Sequence, residues 1–180
     1  MSSLENIAKQ MVMPGKGILA ADESSGTIKK RFDSISVEST EENRRNYREM
    51  LFQSKNAMEK YISGVILFDE TLRQESKNGQ PLVEVIANSG ALPGIKVDTG
   101  AKDLAFNSKE KITEGLDGLR ERLIEYFNLG AKFAKWRAVI TIEDSIPSDL
   151  CINSNAHALA RYAALCQENG IVPIVEPEVL

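Results

Sequence analysis

The amino-acid sequence predicts an α/β protein built on a parallel sheet, and three observations carry that expectation. Compact apolar runs alternate with helical stretches along the chain, the helices have legible start and stop signals, and ionisable residues gather where the apolar runs end. Strands separated by helices pair in parallel through right-handed crossovers. An open doubly wound sheet and a (β/α) barrel both satisfy this pattern. No Gly-x-Gly-x-x-Gly follows the first strand, so a dinucleotide-binding sheet loses its main support.

In chain order, a helix is expected near residues 3–13, then a strand, Gly17-Ile-Leu-Ala-Ala-Asp22, and a second helix soon after Asp22. Ser39 with Glu42 reads as a capping box opening a helix through about Lys55. The second strand is Gly64-Val-Ile-Leu-Phe-Asp69; Pro81 then starts a short helix that Gly90 ends. After the third strand, Gly94-Ile-Lys-Val-Asp98, residues 99–112 read as the longest irregular stretch. Thr113 is expected to open the next helix, with Leu116, Leu119, Leu123 and Phe127 at core spacing and Gly130 as its stop. The fourth strand is Phe133-Ala-Lys-Trp-Arg-Ala-Val-Ile140. Ser148 precedes a helix closed by Gly170, and Ile171-Val-Pro-Ile-Val-Glu176 is the fifth strand. Trp136, between Lys135 and Arg137, should face the helix layer, and Met11, Met13, Met50 and Met58 read as packing residues.

At 180 residues, 42% hydrophobic and 27% charged, the chain has the size and balance of one globular domain, residues 1–180. A net charge of −4 argues against a nucleic-acid binder. Lys29-Lys30-Arg31 and Arg44-Arg45 are short, acid-flanked clusters that read as solvated helix faces. No apolar run approaches the ~20 residues needed to span a bilayer, and residues 2–13 lack a signal peptide's apolar core. A cytoplasmic location is the expectation. Cys151 and Cys166 fall on one helix, which at ~1.5 Å per residue keeps them roughly 22 Å apart, beyond disulfide reach. The lone His157 reads as a surface or packing residue, and without a His/Cys cluster no metal site is expected.

The strand ends carry the functional signal. They present Asp22 and Glu23, Asp69 and Glu70, Lys96 and Asp98, Lys135 and Arg137, and Glu176 and Glu178. Side chains alternate along a strand, so the last three pairs each share a face. Charges buried on such a face must be paired, coordinated or used, whereas Asp69 and Glu70 read as ordinary charges meeting solvent. A mouth combining lysine, arginine and carboxylates suits an anionic carbonyl substrate. Ser24, Ser25, Gly26 and Thr27 stand where a helix begins, offering hydroxyls and free N–H groups to an anion, with Arg31 a turn further on.

These segments, together with Thr40-Glu-Glu-Asn-Arg-Arg, Gly115-Leu-Asp-Gly-Leu and Gly170-Ile-Val-Pro-Ile-Val-Glu-Pro-Glu, resemble the class I (lysine Schiff-base) fructose-bisphosphate aldolases. The similarity covers nearly the whole chain, in order. It implies a TIM (β/α)8 barrel, of which this chain would cover about the first five strands. The implied activity is cleavage of fructose 1,6-bisphosphate to dihydroxyacetone phosphate and glyceraldehyde 3-phosphate, without metal or other cofactor. By the same resemblance Asp22 would be the acid/base group at the C4 hydroxyl. Lys135 would stabilise charge, Glu176 would shuttle protons, and Glu178 would orient neighbouring lysines. Lys96 and Arg137 would contact substrate, while Ser24, Thr27, Arg31 and Arg44 would hold the far phosphate. Neighbouring lysines are expected to depress one another's pKa and yield a neutral amine. The family's imine-forming lysine comes from a sixth strand, so the 180 residues alone are expected to be inactive and poorly soluble or molten; the alternative is a non-catalytic fragment stabilised by a partner chain. An altered imine chemistry at Lys135 is the sharper alternative. Full-length relatives imply a homo-oligomer, commonly a tetramer, with a sugar phosphate as ligand and neither nucleic acid nor membrane as partner.

Overall fold

A computed structural model describes residues 3–180. The predicted strands are present as β1 (Gly17–Ala21), β2 (Ile62–Leu67), β3 (Leu92–Lys96), β6 (Phe133–Ile140) and β7 (Val172–Val179). They form one sheet in the order β1-β2-β3-β6-β7, every neighbouring pair parallel. The sheet curls into the half-barrel expected of a TIM-type fold. The helices are α1 (Ser3–Met11), α2 (Ser25–Asp33), α3 (Glu41–Phe52), α4 (Lys55–Tyr61), α5 (Asp69–Leu72), α6 (Leu82–Asn88), α7 (Leu119–Asn128) and α8 (Asp149–Glu168).

The caps explain most boundaries, with one displacement. Thr40 rather than Ser39 caps α3, accepting a hydrogen bond from the Asn43 N–H at 3.1 Å, and the helix breaks after Phe52 into the separate α4. Ser148 caps α8 through the Cys151 N–H at 3.2 Å. That helix ends at Glu168, and Gly170 just beyond its cap turns the chain at a φ of +72° that only glycine adopts cheaply.

Residues 99–112 are not irregular. They form the antiparallel hairpin β4 (Gly100–Leu104) and β5 (Asn107–Glu114). Thr113 lies in β5 instead of opening a helix; α7 starts at Leu119, after Gly118 at φ +64°. A ribbon polar on both faces has no apolar alternation to reveal it. Its stability comes from elsewhere: Thr113 Oγ1 donates to the Arg137 carbonyl at 2.7 Å, and buried Asn155 of α8 donates to the Lys111 carbonyl at 2.9 Å.

The two faces of the sheet have separate cores. On the convex side Val65, Leu67, Ile95, Ala134, Trp136 and Ala138 pack under Leu123, Leu159 and Tyr162 of the helix layer. Trp136 is fully buried there, its ring centroid 5.5 Å from that of Tyr162. On the concave side Ile66, Leu92 and Phe133 close a smaller cluster with Met11 from α1. Phe133 lies across β2 and β3, where a Cβ on Gly64 would come within 2.8 Å of its ring. Gly64 on β2 and Gly94 on β3 leave the space that the ring fills.

Some expected core positions are exposed. Phe127 is 44% exposed, its ring set against Gly170 and beneath the Lys132 ammonium, while Met50 and Met13 are 59% and 43% exposed. Cys151 and Cys166 are free and buried on α8.

Candidate functional site

Above the Phe133 floor the concave face turns polar at one end of the strands. Lys135 follows Phe133 by two residues on the same face, and its Cα is paired in register with that of Lys96. Asp22 stands just past the end of β1. Lys135 Nζ donates to Asp22 Oδ2 at 3.1 Å, with both side chains close to 90% buried. The same ammonium lies 3.2 Å from Glu176 Oε2, near enough for charge pairing though poorly aligned for a hydrogen bond.

Burial alone would lower the Lys135 pKa, yet Asp22 and then Glu176 outweigh it, and the net shift is upward. Lys135 is a held ammonium, the opposite of the neutral amine expected from crowded lysines. Lys96 Nζ sits 2.8 Å from Asp98 Oδ1 and donates to the Asp98 carbonyl at 3.2 Å. Asp98 is itself almost sealed from solvent and accepts from the backbone N–H groups of Gly100 at 3.0 Å and Arg137 at 3.4 Å. It is the buried counter-ion that fixes the third strand's end to the hairpin and to β6.

Arg137, on the same face, pairs with Glu178 of β7. Across the cleft, Ser24 caps α2, its Oγ accepting from the Thr27 N–H at 3.4 Å and lying 3.1 Å from Thr27 Oγ1. Arg31 is one helical turn beyond and pairs with Glu23. Asp22, Ser24, Thr27, Arg31, Lys96, Lys135 and Arg137 line one cleft of about 330 Å³. A larger groove of about 710 Å³ opens beside Thr40, Arg45 and Gln74. It lacks the convergence of lysine and carboxylate, and chemistry belongs to the smaller cleft.

Two further expected residues stand at the rim: Glu176 reaches the cleft through Lys135, and Glu178, expected beside lysines, pairs instead with Arg137. Arg44 does not line it. Its guanidinium forms a two-pronged pair with Glu70, at 2.8 and 2.6 Å, and donates to the Ser39 carbonyl at 2.6 Å. Sequence reasoning overlooked Arg48, one turn along α3 from Arg44 and wholly buried. Its only trace in the sequence is the i, i+4 spacing that aims both arginines the same way.

What the cleft can do follows from its parts: a carboxylate beside a fixed ammonium moves a proton, and cations with helix N–H groups hold phosphate. Comparison with known proteins identifies the family. The family model "Glycolytic: Fructose-bisphosphate aldolase class-I" matches residues 3–180. A probable class 1 fructose-bisphosphate aldolase of Xanthomonas campestris is 61% identical over 177 residues, 98% of this chain and 53% of that protein. Fructose-bisphosphate aldolase 1 of Toxoplasma gondii is 57% identical over 96% of this chain and 48% of its own length. The solved aldolase of Plasmodium falciparum superposes with a TM-score of 0.95 at 52% identity, over 99% of this chain and 52% of that one. The chain thus spans about half the length of the relatives it matches, and it belongs to the class I fructose-bisphosphate aldolase family.

Proposed function

We propose that the chain takes part in glycolytic cleavage of fructose 1,6-bisphosphate by a lysine-imine mechanism, supplying the acid–base and phosphate-holding part of the site. The observation that carries this reading is the Asp22–Lys135–Glu176 cluster, with Nζ to oxygen distances of 3.1 and 3.2 Å, facing Ser24, Thr27 and Arg31 across the cleft.

In this scheme the Asp22 carboxylate takes the proton from the C4 hydroxyl as the C3–C4 bond breaks, and the bonding electrons flow into a protonated imine at C2. The Lys135 ammonium stabilises charge developing beside Asp22. Glu176 shuttles protons while the carbinolamine forms and loses water, and Glu178 orients Arg137. Lys96 and Arg137 contact the sugar. Ser24, Thr27 and Arg31 hold the far phosphate; Arg44, engaged with Glu70, is assigned no part in it. The carboxylates that raise the Lys135 pKa disfavour its attack on a carbonyl, and this reading assigns the imine to an amine other than Lys135. A cytoplasmic location and a homo-oligomeric assembly go with this reading.

Calorimetric titration with fructose 1,6-bisphosphate tests it. Binding that weakens at least tenfold in Arg31→Met and Lys135→Met is expected. No binding to the folded chain refutes the reading. Borohydride reduction in the presence of dihydroxyacetone phosphate should leave Lys135 unmodified, and an adduct there would transfer the imine chemistry to it.

A further inference from the structure

We propose that Glu23 is a positioning residue that holds Arg31 while the cleft is empty and passes its carboxylate to buried Arg48 when a phosphate arrives. The proposal rests on the reading of Ser24, Thr27 and Arg31 as a phosphate cradle.

Glu23 is the hinge of two unequal pairs. One carboxylate oxygen, Oε1, is held by Arg31, whose side chain is 56% exposed, whereas the Glu23 side chain is only 10% exposed. The other oxygen, Oε2, is buried without a hydrogen-bond partner, 3.9 Å from Arg48 Nη2. Arg48 has no exposed side-chain surface and carries an orphan of its own, Nε. Its remaining contacts are fixed: Nη2 donates to the Glu23 carbonyl at 2.6 Å, and Nη1 to Thr71 Oγ1 at 2.6 Å. Glu70 Oε1 stands 3.7 Å from Nη1, and the guanidinium lies 5.9 Å over the Phe68 ring.

A buried carboxylate oxygen without a partner, 3.9 Å from a nitrogen of a buried guanidinium, describes a second arrangement close at hand. The unpartnered Oε2 carries a desolvation penalty that a hydrogen bond from Arg48 Nη2 removes. Closing 3.9 Å to the length of a charge-assisted hydrogen bond needs a shift of about 1 Å. The exposed Arg31–Glu23 pair is the exchangeable one, since solvent screens it, while desolvated Arg48 cannot leave. A dianionic phosphate competes for Arg31 with twice the charge of the carboxylate. Thr27 and Arg31, four residues apart on α2, then face it together. Arg48 keeps Glu23 attached by its carbonyl throughout, so the turn bearing Asp22 and Ser24 does not move when the carboxylate does.

Equilibrium dialysis with labelled inorganic phosphate, using Arg31→Met as the blank for the site, tests the exchange. Arg48→Lys should weaken phosphate binding about fivefold, the worth of one such pair, in the native background. In the Glu23→Gln background it should change binding little, because no carboxylate remains to be received. Equal losses in both backgrounds mean that Arg48 is merely structural, and they overturn the proposal. Side-chain NMR needs no Arg48 variant: the Arg48 Nε–H resonance should shift on adding phosphate to the native chain and stay still in Glu23→Gln. Arg31-dependent phosphate binding with a motionless Arg48 resonance overturns the exchange alone. No phosphate binding above the blank in any variant overturns the cradle and the exchange with it.

Discussion

Gly94→Ala tests how the floor of the site is built. A Cβ at Gly94 would place three atoms of the Phe133 ring within 2.6 Å, far inside van der Waals contact. The ring cannot swing aside freely, since it is completely buried against Met11, Ile66 and Leu92. Overpacking of this kind costs about 1–3 kcal/mol. Gly94 does not sit at positive φ, so the alanine also removes unfolded-state entropy, a stabilisation of ~0.4–1 kcal/mol. The net expectation is a loss of roughly 1–2 kcal/mol, or about 2–8 °C in thermal midpoint for a chain of this size. Urea unfolding followed by Trp136 fluorescence measures it. Phe133→Leu should be destabilising alone, yet the double variant should lose less than the sum, with a coupling of about 0.5–3 kcal/mol. An unchanged urea midpoint in Gly94→Ala, or strictly additive losses, would refute the steric account. Lys135 is two residues from Phe133 on the same face, so Gly94→Ala should also weaken sugar-phosphate binding.

Three other outcomes follow from the electrostatics. The folded-state pKa of Lys135 is raised, so its pairing contributes fully below the unfolded lysine value of about 10.4 and is lost as pH rises through the folded value; the native chain should lose more stability than Lys135→Met on titration above that range. Glu110 accepts from the Ser148 backbone N–H at 2.6 Å and from its hydroxyl at 2.7 Å, first the backbone bond and then the hydroxyl holding its pKa down against burial. Its contribution is present above the unfolded glutamate value of about 4.3 and lost as pH falls through the folded value. Amides of β4 and β5 should exchange faster in Glu110→Gln at neutral pH, and equal protection would dissociate this carboxylate from the hairpin. Burial pushes the Cys166 thiol up to about 12 and raises Cys151 as well, so neither should react with a disulfide reagent until urea unfolds the chain.

The strands and most helix ends were legible because their determinants are local. Gly17 to Asp22, Gly64 to Asp69 and the run from Phe133 to Ile140 are apolar over short lengths, and Ser148, Pro81, Gly90 and Gly170 act on the turn they occupy. Period-two alternation also set Lys135 and Arg137 on one face and Trp136 on the other, before any partner was known. Thr40 displaced Ser39 as a cap because both can accept the bond and only the path of the chain chooses between them.

Composition and alternation by themselves determined a parallel α/β sheet with ionisable residues at one end, and the family motifs named its barrel and chemistry. The tertiary structure alone decided the rest. It folded residues 100–114 into a ribbon held by Asn155, set Arg44 on Glu70, buried Arg48 behind Glu23, and gave Lys135 two carboxylates. Each of these depends on groups brought together from distant parts of the chain, and the energy of a charge is set by what surrounds it in space. Local sequence carries no record of those surroundings.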